Sequence, residues 1–241
     1  MSSEREENGK RNYKYQQVSQ AIIQKIASNE WRVGEKIPPE AELCQMIQVS
    51  RVTLRESLKA LSILGILDIV QGDGTYVREV SPASVIEPLL PLLQCSQVHT
   101  REVYLARQIV EGGACELAAI HRSEEDLRYL HDLIEDMQEA ITMNRFDLFS
   151  EADRKFHQKI NNSSGNAILA MICNMFSELV KYYIGKINED ASAIDNSMLD
   201  HIKIYEAIRD QRPEFARIMM SEHLRVSMQY LVQNDPPPKI L

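Results

Sequence analysis

The sequence predicts a mainly α-helical chain in two parts, and three observations carry that prediction. Residues 36 to 77 hold two short helix signals followed by two β-prone runs with glycines between them. From residue 83 on, apolar residues recur at three and four positions through seven runs joined by short polar stretches. Between the two parts lies Arg78-Glu79-Val80-Ser81-Pro82, where the Ser-Pro step biases against continuing either helix or strand. The expected architecture is a winged helix-turn-helix over residues 13–78 and an all-α bundle over residues 83–233.

Residues 1–12 are polar and mixed in charge, and read as a disordered leader rather than a signal peptide. From Tyr13, the spacing of Tyr15, Val18, Ile22 and Ile26 predicts a helix to about Ser28, with Trp31 and Val33 packed beneath it. Pro38 and Pro39 open the next helix, where a missing N–H costs nothing, and Glu40 and Glu42 suit the positive end of its dipole. Ser50 is a natural N-cap for a third helix. On it Leu54, Leu58 and Leu61 share one side, while Arg51, Arg55, Lys59 and Ser62 form a stripe roughly a quarter turn away. Ile66 to Val70 and Thr75 to Val77 then pair across Gln71-Gly72-Asp73-Gly74, whose glycines permit a tight turn.

The helical runs span 83–94, 99–121, 123–144, 146–161, 165–189, 196–210 and 213–233. Ser123 followed by three acids, the Gly165-Asn166 step, and Pro213 with Glu214 mark boundaries between them. The tail NDPPPKIL cannot be helical.

Composition bounds the function. The formal net charge is −8, yet residues 1 to 80 balance 11 Lys+Arg against 11 Asp+Glu, so the acidity belongs to the second part. A locally arranged basic stripe can still bind DNA on such a chain, with weak non-specific attraction. Nothing approaches the ~18 consecutive apolar residues of a membrane span, and a cytoplasmic protein is expected. Cys44, Cys95, Cys115 and Cys173 are widely spaced without a Cys-x-x-Cys pair, against a zinc ribbon or a disulfide framework.

Four residues of the second part stand out. Asp153 and His157 lie four apart and so share a helix face. His201 and His223 flank the 210–213 turn at about ten residues on either side, which an antiparallel hairpin brings to nearly the same height. Three imidazoles and a carboxylate suit zinc, nickel, manganese or iron better than calcium or magnesium. The same pattern also fits core histidines and a helix ion pair, and spacing alone leaves both readings open.

"IPPEAEL", "VSRVTLRESLKAL" and "QGDGTYV", in this order, resemble the DNA-binding domain of the GntR family of bacterial transcriptional regulators. "D-x3-H" at Asp153 and His157, "DHIKIYEAI" around His201 and "SEHLRV" around His223 are similar to the metal-binding motif in the FCD-type ligand-sensing domain of the family's FadR subfamily. The resemblance implies that the helix from Ser50 enters the major groove and the glycine wing approaches the minor groove. Ser50, Arg51, Thr53, Arg55, Gly72, Gly74 and Thr75 are then the expected DNA contacts. Arginine there can offer guanine two parallel donors, and small hydroxyls can take phosphate. It also implies one divalent transition metal per chain on Asp153, His157, His201 and His223. Arg107, which shares a face with Glu111, becomes the candidate for holding an effector carboxylate bidentately, against the alternative of an Arg107–Glu111 pair on a solvated face. Ala41 stands where the family usually has a DNA-contacting arginine, and Gln48 where a turn glycine is usual. His99, His121 and His131 have no matching role and are expected at the surface.

The function expected is a ligand-responsive, non-enzymatic transcription factor, repression being the commoner outcome in the family. It would bind palindromic operator DNA as a homodimer and sense a small organic acid, with the change absorbed at residues 78–82. Two rivals are weighed. Acyl-CoA sensors of the subfamily lack the full metal set, and a metal-dependent hydrolase needs a further base that no motif here supplies.

Overall fold

The computed structural model describes residues 2–79, 81–95, 100–184 and 191–234. The chain divides into two compact units, one up to Leu90 and one from Pro91.

In the first unit, α1 (Ser2–Ala27) is longer than expected. The stretch 2–12, read as a leader, is helical because it carries no proline and a single glycine, so nothing in it ends the helix begun downstream. α2 (Glu40–Ile47) starts after Pro39 and ends on Gln48 in the left-handed region, φ 56 and ψ 49. For a residue with a Cβ that conformation costs roughly 1 kcal/mol. α3 (Arg51–Ile63) is capped by Ser50, whose hydroxyl accepts from Thr53 N at 3.2 Å. As the spacing predicts, Leu54, Leu58 and Leu61 are buried.

β1 (Leu67–Val70) and β2 (Gly74–Val77) form an antiparallel hairpin in the register Leu67↔Val77 to Val70↔Gly74. The segment before α2 adds a short third edge: Ile37 N donates to Thr75 O and Val77 N to Glu35 O, both at 2.9 Å. Leu67 and Val77 face a core with Val18, Ile22, Trp31 and Leu43. Trp31 is buried as expected, but Val33 is 60 % exposed because it lies in the turn that leads to this edge.

The expected run 83–94 is broken into α4 (Pro82–Ile86), a 3-10 turn (Glu87–Leu89) and α5 (Leu90–Cys95). Pro88 and Pro91 remove the N–H groups a continuous helix needs.

The second unit contains α6 (Thr100–His121), α7 (Glu124–Thr142), α8 (Phe146–Ser163), α9 (Ala167–Ile184), α10 (Ala191–Arg209) and α11 (Pro213–Asn234). The predicted positions 99 and 185–189 lie outside the described residues. α6 packs on α11, α9 and α8, while α7 packs on α8 and α10, and α10 on α11. Leu130, Met137, Phe156, Ile160, Ile204 and Met220 fill the space between them. Ser123 and Asp126 form a reciprocal capping box at the start of α7, as the run of acids after a serine foretells. All four cysteines are free, Cys115 and Cys173 buried, Cys44 half-buried and Cys95 exposed.

Candidate functional sites

The exposed face of the first unit carries the residues expected at DNA. Arg51, Arg55 and Lys59 project from α3 into solvent. Arg55 is already engaged: its Nε donates to both Glu40 carboxylate oxygens, at 3.0 and 2.8 Å. The Ser50 and Thr53 hydroxyls lie 2.9 Å apart and bond to each other.

The two wing glycines differ in their reasons. Gly72 has φ +82 and open space around it, so the turn needs its conformational freedom. Gly74 has no such φ; a Cβ there would collide with the Lys36 side chain, which crosses it to reach Asp73. Lys36 Nζ lies 2.8 Å from Asp73 Oδ1, and the Tyr76 hydroxyl donates to Asp73 Oδ2. The hydrogen bond from Lys36, with that from Tyr76, holds the Asp73 carboxyl below the usual carboxylate value. Thr75, half-buried on β2, adds its carbonyl to the third edge.

In the second unit Asp153 and His157 on α8, His201 on α10 and His223 on α11 converge, one ligand-type atom from each lying within 4.8 Å of the others. The three histidines are buried and Asp153 is 32 % exposed. His157 Nε2 faces His223 Nε2 at 3.2 Å, and the His201 and His223 ring centres are 4.6 Å apart. His201 Nε2 comes within 3.0 Å of Asp153 Oδ1 but at an angle that makes no hydrogen bond, so both its buried ring nitrogens lack a partner.

Glu111 on α6 joins this cluster, which its spacing from Arg107 alone did not reveal. Glu111 Oε2 is 2.9 Å from His157 Nδ1, and Oε1 accepts from Arg107 Nε at 2.5 Å. The Arg107–Glu111 pair exists, but not on a solvated face: the side chains are 8 % and 0 % exposed. Burial opposes the charge on Glu111, yet the Arg107 guanidinium and the His157 ring outweigh it and hold the carboxyl at about 2. Burial likewise opposes ionisation of Asp153, and His201 beside it prevails. Burial, helped by the His201 and His157 rings, pushes His223 well below the usual imidazole value, so it is neutral.

The geometry of these residues can be tested against a cation. With Glu111 beside Nδ1 at 2.9 Å, the other ring nitrogen of His157, Nε2, faces inward toward His223. Ring nitrogens from three histidines therefore converge beside one carboxylate. That donor set fits a transition metal. Of the remaining histidines, His131 is exposed, His121 is exposed with its ring Nδ1 2.8 Å from Ser164 O, and His99 lies outside the described residues.

Comparison with known proteins matches the same two units. Residues 14–77 match the family of bacterial regulatory proteins, gntR family, and residues 102–226 match the FCD domain. The chain is 30 % identical over 211 residues to the uncharacterized HTH-type transcriptional regulator YcbG of Bacillus subtilis, covering 87 % of this chain and 86 % of that one. It is 27 % identical over 204 residues to the HTH-type transcriptional regulator LutR of the same organism, covering 83 % and 92 %. A solved structure of Streptococcus agalactiae GntR shares the fold with a TM-score of 0.74 at 24 % identity, over 89 % of this chain and 99 % of that one. The chain belongs to the GntR family of bacterial transcriptional regulators, a winged helix-turn-helix protein with a C-terminal FCD domain rather than an enzyme.

Proposed function

We propose that this regulator, acting in the cytoplasm as a homodimer of the FadR subfamily type, represses transcription at a palindromic operator and responds to a small carboxylate through a metal held in its FCD domain. The observation that carries the effector half is the convergence of ring nitrogens from His157, His201 and His223 beside the Asp153 carboxylate, with both nitrogens of His201 unpartnered. These four residues would hold the ion; when bound, it supplies a Lewis-acidic anchor for an acid's carboxylate.

The chain's own residues do the rest. Glu111 fixes the His157 tautomer, and Arg107 keeps Glu111 charged. Among the described residues Arg107 is the buried member of the Lys and Arg set, which makes it the cation available to an acid at this site. On the DNA side, Arg51 and Arg55 read bases, Ser50, Thr53 and Thr75 meet phosphates, and Gly72 and Gly74 let the wing backbone come close. An effector that binds one arrangement of the two units better than another shifts the population that can hold the operator.

Metal analysis of the full-length protein after loading with zinc, nickel or manganese tests the reading, followed by melting with candidate acids and operator release. One ion per chain, a higher melting temperature with an acid, and weaker DNA binding in its presence are expected. Occupancy below about a tenth of an ion per chain sinks the metal half.

A further inference from the structure

Along α8, Asp153, His157 and Asn161 follow one another at four-residue spacing and so form one stripe, each about 6 Å further along the axis. Asn161 is fully buried, at 0 % exposure. Its Nδ2 donates to Asn174 Oδ1 on α9 at 3.3 Å, and Asn174 Nδ2 donates onward to Asn162 Oδ1 at 3.1 Å. Asn174 thus donates to Asn162 and accepts from Asn161.

The remaining atom, Asn161 Oδ1, is a buried acceptor without a partner. Such an atom costs about 1–3 kcal/mol unless something donates to it. α9, which carries Asn174, packs both on α8, which bears His157, and on α6, which bears Glu111, and so borders the same helical interior.

We propose that Asn161 is a specificity-determining residue of the effector site, its Oδ1 accepting a hydrogen bond from a hydroxyl or ammonium group of the bound acid. Resting on the carboxylate reading above, this adds a second point of recognition one helical turn from His157. The effector then carries a donor a few bonds from its carboxylate. An acid without that donor leaves the acceptor unanswered.

Calorimetric titration of the zinc-loaded full-length protein tests this with matched acids: propionate, lactate, 3-hydroxypropionate and β-alanine, then succinate and malate. In the wild type, at least one donor-bearing acid binds about tenfold or more tightly than its unsubstituted partner. Whether the hydroxyl or the amine series shows the preference identifies the donor. Asn161→Leu abolishes the preference while keeping one zinc per chain, and Asn174→Ser, which frees the Asn161 amide to rotate, reduces it. The proposal is overturned, with the carboxylate reading intact, if acids bind without preference or the preference survives in Asn161→Leu. If no acid binds the zinc-loaded wild type, both fall.

Discussion

Arg55 Nε lies 2.8 Å from Glu40 Oε2, tying the helix expected in the major groove to the one before it. The pair is exposed, 62 % on the arginine side and 39 % on the glutamate, so it contributes at most about 1 kcal/mol to stability. Its larger consequence is orientation, because the guanidinium is held before DNA arrives. Arg51→Ala and Arg55→Ala are each expected to weaken operator binding by about 1–3 kcal/mol, leaving the metal content of the other unit unchanged. Glu40→Gln keeps the charge of Arg55 but releases its aim, so it should narrow the gap between operator and scrambled duplex. Fluorescence anisotropy on an in vitro selected operator measures all three. Wild-type affinity in both arginine variants would remove α3 from the interface.

The wing glycines should separate by mechanism. Gly72→Ala meets no neighbour but is forced to φ +82, at a cost of roughly 1 kcal/mol in folding stability. Gly74→Ala meets the far end of a flexible lysine, so Lys36 swings away and stability falls less, while the Lys36–Asp73 contact is lost. Both weaken DNA binding with little change in sequence preference. Denaturant melts that rank Gly74→Ala as the more damaging would contradict this account.

The sequence revealed what is local. The α3 faces, the Ser50 cap, the Ser123 box and the hairpin all follow from spacing within a dozen residues or so, and each stands as read. Pro88 and Pro91 were visible as helix breakers, yet the apolar run around them masked the signal. Glu111 meets His157 across 46 positions, and the Asn161–Asn174 relay joins two helices. No periodicity encodes such partners, because packing of separate helices brings them together. Spacing alone singled out the four clustered residues but favoured core histidines and a helix ion pair; only the resemblance implied a metal there.

Asp126 gives the helical unit a pH dependence of known sign. Burial opposes its charge, but Lys159 and the capping contacts with Ser123 outweigh it and lower its carboxyl from 3.8 to about 2. A folded value below the unfolded one means stability is fully present above about pH 4 and is lost as pH falls through about 2. Asp126→Ala should therefore cost about 1–2 kcal/mol at neutral pH, and the cost should shrink toward pH 2. Urea melts of both proteins at pH 7 and pH 3 check this. A difference independent of pH would assign the loss to packing instead.

The metal reading makes its sharpest prediction at His201. In the metal-free protein its two buried nitrogens have no hydrogen-bond partner, a cost of about 1–3 kcal/mol for each polar group so left. The ring is otherwise well packed, edge to face with Phe156 at 5.0 Å. His201→Leu removes the unpartnered atoms and keeps apolar bulk, while Asp153, at 32 % exposure, can turn to water. The metal-free variant should melt at or above the temperature of the metal-free wild type. Addition of zinc reverses the order: wild type gains stability by mass action, and the variant, short of one ligand, gains far less. His201→Ala, which leaves a cavity, should melt lower than wild type in both states. Melting curves with chelator and with zinc separate the cases. A His201→Leu protein that is destabilised without metal and still rises with zinc as the wild type does would show that His201 is a structural core residue and no ligand.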